Sequence, residues 1–482
     1  VSRKRASDLE SAARSALDAA GRTGETQWVA LRSEIERCDA LAAFAASPFA
    51  ASQSADRFYW ERPAAGRAIV ALGRAGAIEV EGARRFSEAS ERAASLFERL
   101  HVAGSGGSAD AGPFLVGGFA FANSTPSEPH WKGFAAGRMI LPEITLAANA
   151  DRRWCTIVRS VEPAECAQAE ARVREICHSL RVDLDRTEDL LIHLAAFEPS
   201  TAQDTARRSY RASTDRAHAE YRAQVDCALR EIADGSFEKV VLARSISVSE
   251  SGDYDPCALL DALRHAHPSC AIFAVARLEA VFLGATPECL VRLVGSRVET
   301  ASVAGSAPRG RSPEEDLDLG RRLRESKKEQ TEHAFVVRAL CDALAPHCDA
   351  LEVQESPRLM RLQDIQHLET PIAGRLREPR SILELVGAIH PTPAIAGAPR
   401  DAALEWLRAN ENLDRGWYSG PIGFADPDGG GEFFAALRSA VLRGNEAQLF
   451  AGAGVVSGSD PESELRETRL KLRAMLAPLM EI

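Results

Sequence analysis

The stretch Arg438-Ser439-Ala440-Val441-Leu442-Arg443-Gly444-Asn445-Glu446-Ala447-Gln448-Leu449-Phe450-Ala451-Gly452-Ala453-Gly454, with Ser459-Asp460-Pro461-Glu462 close behind, reads as a β-hairpin that runs into glycine and then opens a helix. Ser459 or Asp460 can cap exposed N–H groups, Pro461 suits the first turn, and Ser459 with Glu462 spells a capping box. In that helix Glu464, Glu467 and Lys471 fall at i, i+3 and i+7 on one stripe. Leu465, Leu472, Leu476 and Leu479 form a separate apolar stripe about 100° round. A like-charge pair on an exposed helix costs roughly 0.2–0.5 kcal/mol, so Arg466, Arg469, Lys471 or a bound cation should offset it. Taken alone, this helix reads as a solvated charged face.

A second helix alters that reading. Ser312-Pro313-Glu314-Glu315 repeats the capping pattern and predicts one long helix to about Ala345. Glu329 and Glu332 stand in line with Val336, Ala339, Leu340 and Ala343, so both acids should point inward. Buried carboxylates need partners. Two helices that each offer Glu-x-x-Glu, without the histidine of a di-iron motif, favour a hard cation with oxygen ligands, for which magnesium is the natural candidate. His333 reads as a structural hydrogen-bonder.

Composition bounds the rest. With 482 residues and 45% hydrophobic content the chain can bury a large core. No run reaches the apolar length of a membrane span, and Val1-Ser2-Arg3-Lys4-Arg5 is not followed by a signal-type apolar segment, so a cytoplasmic location is expected. The ten cysteines contain no Cys-x-x-Cys pair. Cys177, Cys227 and Cys341 read as reduced packing residues, with no zinc site. A net charge of −11 argues against a general nucleic-acid binder, although Arg438, Lys471 and Lys239 could form a local basic pocket.

Along the chain, residues 6–45 predict a helix and then a strand. Phe58–Glu61 and Arg67–Gly73 read as strands, and Ser87–Leu100 as a helix. A loop is expected at Gly104–Asp110. Pro113–Ala122, Arg138–Ala147 and Trp154–Val158 each read as one strand, with a helix near Ala164–Leu180. Gly117-Gly118 fits close strand packing or a bulge as well as a phosphate cradle. The polar composition from Phe197 to Ser213 suggests a connection between an N-terminal half, 1–212, and a second region, 213–482. Beyond it a helix stopped by Gly235 leads to a strand at Phe237–Arg244. Lys239, flanked there by Val240 and Val241, is either buried and functional or anchored by a carboxylate. Ala271–Ala276 and Ala280–Gly284 predict a hairpin, with Glu288 in the turn after it. If the fold brings Glu288 opposite Lys239, the two make a base and acid pair. A strand and an Ala304–Gly310 loop should precede the long helix.

These residues resemble the chorismate-utilising enzymes. The likeness is carried by Lys239 in Phe-Glu-Lys-Val-Val-Leu-Ala-Arg, Glu288 in Gly-Ala-Thr-Pro-Glu-Cys-Leu, and Glu329-Gln-Thr-Glu332-His333. It continues through Gln366-His367-Leu368-Glu369-Thr370-Pro371, His390-Pro391-Thr392-Pro393-Ala394, Gly416-Trp417-Tyr418-Ser419-Gly420, Arg438, Gly452-Ala453-Gly454 and Glu464-Leu465-Arg466-Glu467-Thr468. The first half is similar to the isochorismate synthases of the family at Gly117–Phe121 and Gly137–Pro142. The resemblance implies a large α+β fold in which antiparallel sheets pack as a two-layered sandwich, helices cover the outside, and both halves share one core.

It also implies roles. Glu332 and Glu467 would ligate magnesium directly, with Glu329 and Glu464 supporting them. Arg438, Tyr418 and Lys471, with backbone near Gly452 and Gly454, match positions that hold carboxylates. Gly305, Ser306, His367, Thr370 and Ala394 complete the expected chorismate-binding set, Ser306 standing where many relatives have threonine. Lysine at 239 marks the members that add water, whereas glutamine marks those that add ammonia, so no glutaminase partner is expected. Lys239 would take a proton from water and Glu288 would protonate the departing hydroxyl, giving isochorismate for menaquinone or siderophore synthesis. A salicylate synthase, which goes on to eliminate pyruvate, would carry the same motifs. A catalytically silent homologue would not be expected to retain Lys239, Glu288 and all four glutamates.

Overall fold

The computed structural model describes residues 3–36, 38–46, 56–104, 110–194 and 209–481. The fold is α+β. A 13-stranded and a 10-stranded sheet are built from antiparallel neighbours, save that Gln27–Glu34 and Leu100–Gly104 run parallel. Aromatic side chains from both sheets meet between them: Trp60 and Ile69 of the first pack with Val116, Phe424 and Phe434 of the second, and Trp60 meets Phe424 edge-on at 5.3 Å between ring centres. Such edge-to-face pairs add to the stabilisation from area burial. On the far face of the larger sheet, helices Arg3–Thr23, Ala169–Leu194, Pro256–Ala266 and Pro461–Glu481 bury Leu17, Leu180, Leu263 and Leu472. Helices Arg85–Glu98, Lys327–Leu344 and Ile382–Ile389 cover the smaller sheet.

Each half of the chain contributes an unbroken block of strands to both sheets, so each sheet has a single seam. In the larger sheet the seam is Arg57–Arg62 against Ala271–Arg277, with Trp60 opposite Phe273. In the smaller it is Leu115–Phe119 against Pro421–Ala425, with Gly118 opposite Ile422. The backbones there lie close, since a Cβ on Gly118 would stand 2.7 Å from the Pro421 carbonyl oxygen. Gly117 and Gly118 therefore serve strand packing. The junction at 212/213 falls inside the strand Arg211–Thr214. The sequence readings at Gly104–Asp110 and Phe197–Ser213 lie largely outside the described residues.

Several element readings are corrected. Arg138–Ala147 is two strands: Gly137–Leu141 belongs to the smaller sheet and Ile144–Ala148 to the larger, the chain crossing between layers at Pro142-Glu143. Its continuous apolar pattern, buried throughout, hid the crossing. The long helix from Ser312 is also two, Pro313–Glu325 and Lys327–Leu344. Between them Ser326 is extended, and its hydroxyl accepts from the Glu329 N–H, making Ser326 the cap of the second helix. Asp460, accepting from Ser463 N–H at 2.8 Å, caps the last helix, while Ser459 turns back to Val456 N–H. The supposed loop Ala304–Gly310 continues the strand Arg297–Pro308 through a bulge at Gly305, whose φ is +76°. Among the described residues, no helix is long and apolar enough to cross a membrane.

Candidate active site

Lys239 opens the strand Lys239–Ser249, which pairs along its length with Glu446–Val456. Val241 and Ala243 lie opposite Gly454 and Gly452, so both glycines sit in a strand of the ladder and not in a loop. The reason is proximity. A Cβ on Gly454 would stand 2.3 Å from Glu332 Oε1 and 3.2 Å from Lys239 Cε. Through that gap Lys239 Nζ reaches Glu332 Oε1 at 2.9 Å, an ion pair that lacks the alignment of a good hydrogen bond. Lys239 is thus fully buried and anchored by a carboxylate.

The surrounding cleft is narrow, with about 80 Å³ of free volume. Its wall includes Glu288, Gly305, Ser306, Glu332, His367, Ala394, Tyr418, Arg438, Gly452, Gly454, Glu467 and Lys471. Lys239, Glu329 and Glu464 are not part of the wall but pair with neighbours: Lys239 with Glu332, Glu329 with the Ser306 N–H at 3.1 Å, and Glu464 with Lys328 at 2.8 Å. Thr370 departs from its expected role. It is buried away from the cleft, where its hydroxyl meets His333 Nε2 at 2.7 Å and ties the Glu332 helix to the sheet.

The cleft orients its polar groups in advance. Arg438 donates to His367 Nε2 at 2.8 Å, which leaves Nδ1 of His367 as the donor toward the Gly305 carbonyl, at 3.1 Å. Burial, with the charges of Arg438 and Lys471, holds His367 well below its ordinary value, so this ring is neutral and acts as a strut for the guanidinium. The Tyr418 ring stacks on Phe450 at 5.2 Å, and Phe450 stacks in turn on Trp131 at 5.6 Å. Gly416 completes that stack: any side chain there would enter the Trp131 ring. Lys471 donates to the Gly452 carbonyl at 3.0 Å and pairs with Glu467 at 2.6 Å.

The carboxylates are tuned differently. Burial pushes Glu288 up to about 7, against the charges of Lys239 and Lys471. Glu329 is likewise raised to about 7, by burial and then by Glu332. Glu464 is raised by burial and by Glu467, with Lys328 opposing. Glu332 lies below its ordinary value; burial works to raise it, but Lys239, with Lys328 and Lys471, outweighs that. Among the described residues, no three acidic, histidine or cysteine side chains converge as a ready metal cage. The donor set nonetheless suits a hard dication. Glu332 and Glu467 line the cleft, and behind them Glu329 and Glu464 are raised partly by Glu332 and Glu467, a repulsion that a cation would relieve.

Sequence reasoning passed over three residues. Lys328, adjacent to Glu329, bridges the two helices by reaching Glu464 at 2.8 Å and Glu329 at 3.6 Å. Ser419, at φ +59°, and Arg415 both line the cleft. Arg415 is clamped by Glu411 and donates to the carbonyls of Val241 and Ile395. Its only signal was proximity to the Gly416–Gly420 motif.

A sandwich of two such sheets, with paired glutamates from two helices facing a buried lysine, defines a class. Residues 15–480 match the family described as chorismate binding enzyme, and the chain belongs to that family. It is 37% identical over 454 residues to the salicylate biosynthesis isochorismate synthase of Pseudomonas aeruginosa, covering 94% of this chain and 90% of that one. It is 30% identical over 474 residues to isochorismate synthase MenF of Bacillus subtilis, 96% of each chain. Among solved structures, a putative 2,3-dihydroxybenzoate-specific isochorismate synthase, DhbC, from Bacillus anthracis superposes with a TM-score of 0.68 at 28% identity, over 90% of this chain and 98% of that one.

Proposed function

We propose that the protein is an isochorismate synthase, converting chorismate to isochorismate by adding water at C2, shifting the ring double bonds and releasing the C4 hydroxyl. The observation that carries this reading is a buried acid on the cleft wall, Glu288, raised by burial to about 7 and close enough to the buried Lys239 to feel its charge. Lys239, in its neutral amine form and released from its ion pair with Glu332, accepts the proton of the attacking water. Glu288, still protonated near neutrality, donates to the departing hydroxyl. The printed names of the relatives support the same chemistry.

Arg438, oriented by His367, and Tyr418, whose hydroxyl proton is held by burial, suit the substrate's carboxylates. Glu332 and Glu467 would hold a magnesium ion directly, with Glu329 and Glu464 behind them. When bound, the ion supplies charge stabilisation and fixes the ring carboxylate. Lys328, Lys239 and Lys471 keep those four glutamates paired with positive charge. A cytoplasmic setting, and action without a glutaminase subunit, complete the reading.

The second reading is a salicylate synthase, favoured by the word salicylate in one relative's name. Incubation with chorismate and magnesium separates the two. Isochorismate should accumulate with at most traces of salicylate. Stoichiometric salicylate and pyruvate from the first turnovers would replace the proposal with the second reading and leave the roles of Lys239 and Glu288 in place.

A further inference from the structure

A second cavity, of about 510 Å³, opens between the helices Arg85–Glu98 and Arg400–Asn410 and the segments at Phe121 and Leu413. Its floor is unusually basic for a place with so few free acids. Arg85 is buried at 6% exposure with its cation 4.5 Å over the Phe86 ring; its Nη2 donates to the Phe121 carbonyl at 3.4 Å, and among the described residues no carboxylate pairs with it and its Nε has no partner. His390, 3% exposed, spends Nε2 on the Phe121 carbonyl and leaves Nδ1 without a partner. Arg400 donates to the carbonyls of Ala388 and Ile389 and lies near the charge of Asp401.

The acids of the wall are already engaged. Glu411 holds Arg415 and the Ala243 N–H, and Asp414 accepts the N–H groups of Ser127, Glu128 and Gly416. Asp401 sits at the exposed rim. Two buried polar atoms without partners, beside a buried arginine, Arg85, that has no counter-ion among the described residues, are costly unless a ligand satisfies them. Phe86, Phe121, Leu404 and Leu413 give the same cavity an apolar side.

We infer that this cavity is a binding site for a small organic anion, a carboxylate carried on an apolar ring, whose occupancy is felt in the first cleft through Arg415. The carboxylate meets Arg85, and the ring lies against the phenylalanines and leucines; His390, neutral and donating through Nε2 to Phe121, leaves Nδ1 as an acceptor for a hydroxyl or amino group of the ligand. Arg415 is the link because it lines both cavities, and its guanidinium holds the carbonyls of Val241 and Ile395 on the cleft wall. The inference goes beyond the proposed reaction and does not depend on which product is made.

Benzoate serves as the probe, titrated by calorimetry into the full-length chain and into Arg438→Gln, Arg85→Gln and Leu404→Trp variants whose thermal unfolding matches the parent. The first variant disables the cleft, the second the anion contact, and the third fills the apolar side from a half-exposed position. Binding should survive Arg438→Gln, weaken about tenfold or more in Arg85→Gln, and vanish in Leu404→Trp; inorganic phosphate, lacking a ring, should bind at least about tenfold more weakly than benzoate. Benzoate should also change kcat in the parent and not in Leu404→Trp. Benzoate binding that is lost in Arg438→Gln and untouched by Leu404→Trp would place the anion in the first cleft and overturn the inference, as would phosphate binding equal to benzoate. A kcat indifferent to benzoate at saturation would overturn the link through Arg415.

Discussion

Lys239 Nζ and Glu332 Oε1 lie 2.9 Å apart, so the proposed base and a proposed cation ligand share one contact. A change at either should register at both. Lys239→Ala is expected to reduce turnover by about 10²–10⁴-fold while chorismate binding stays largely intact, the usual effect of removing a general base. Single-turnover assays beside calorimetric binding check this. An equal loss of binding and turnover would assign Lys239 a positioning role instead.

Glu332→Gln and Glu467→Gln should each raise the magnesium concentration needed for half-maximal activity, with partial recovery at high magnesium. Each keeps the shape of the side chain and removes its charge. A magnesium titration of activity, with circular dichroism to verify folding, measures the shift. Unchanged dependence in both variants would remove these two glutamates from the metal site.

Gly454→Ala tests the ion pair from the other side. The new methyl group meets the end of Glu332 at 2.3 Å and must push it away from Lys239, while the strand pairing of Gly454 with Val241 can persist. The expected result is a folded protein with strongly reduced kcat and an altered magnesium requirement. A kcat within about twofold of the parent would mean the contact has no part in turnover.

Glu288 and Glu329 predict a pH dependence of stability. Both are raised from about 4.5 to about 7, so between those values the folded chain holds protons that the unfolded chain has released. Stability therefore falls as pH rises through this window, by at most about 3 kcal/mol per group, and levels off above it. Thermal unfolding from pH 5 to pH 8 in the presence of a chelator should show the decline, and Glu288→Gln with Glu329→Gln should flatten it. A slope unchanged by the double substitution would mean other groups carry the protons.

Much of this was legible beforehand. Hairpins at Ala271–Arg277 and Ala280–Thr286, the cap before Pro461, and the inward glutamates all follow from local rules that the fold respects. What escaped were mostly features set by tertiary neighbours. The break at Ser326 was passed over as helix interior although Ser326-Lys327-Lys328-Glu329 has the Ser-x-x-Glu spacing of a helix start. The crossing at Pro142 was hidden because both strands are buried, which erases the alternation that marks a face. Thr370 stood in the right motif but points to the helix behind the sheet. Lys328 could have been named, since two glutamate pairs converging without a counter-charge would repel.

The single seam in each sheet bears on how such a chain can be divided. Cutting the two halves apart would not free two smaller proteins. It would uncover, in each half, two long strand edges with every second N–H and C=O left open: Arg57–Arg62 and Leu115–Phe119 on one side, Ala271–Arg277 and Pro421–Ala425 on the other. Those edges are interior strands by composition, rich in Phe, Ile and Val and without the lysines or prolines that discourage further pairing, apart from Pro421. They would template association with other copies of themselves. The catalytic half is thus tied to its partner half by the need to keep those edges covered, although every proposed catalytic and metal-binding side chain lies beyond residue 212.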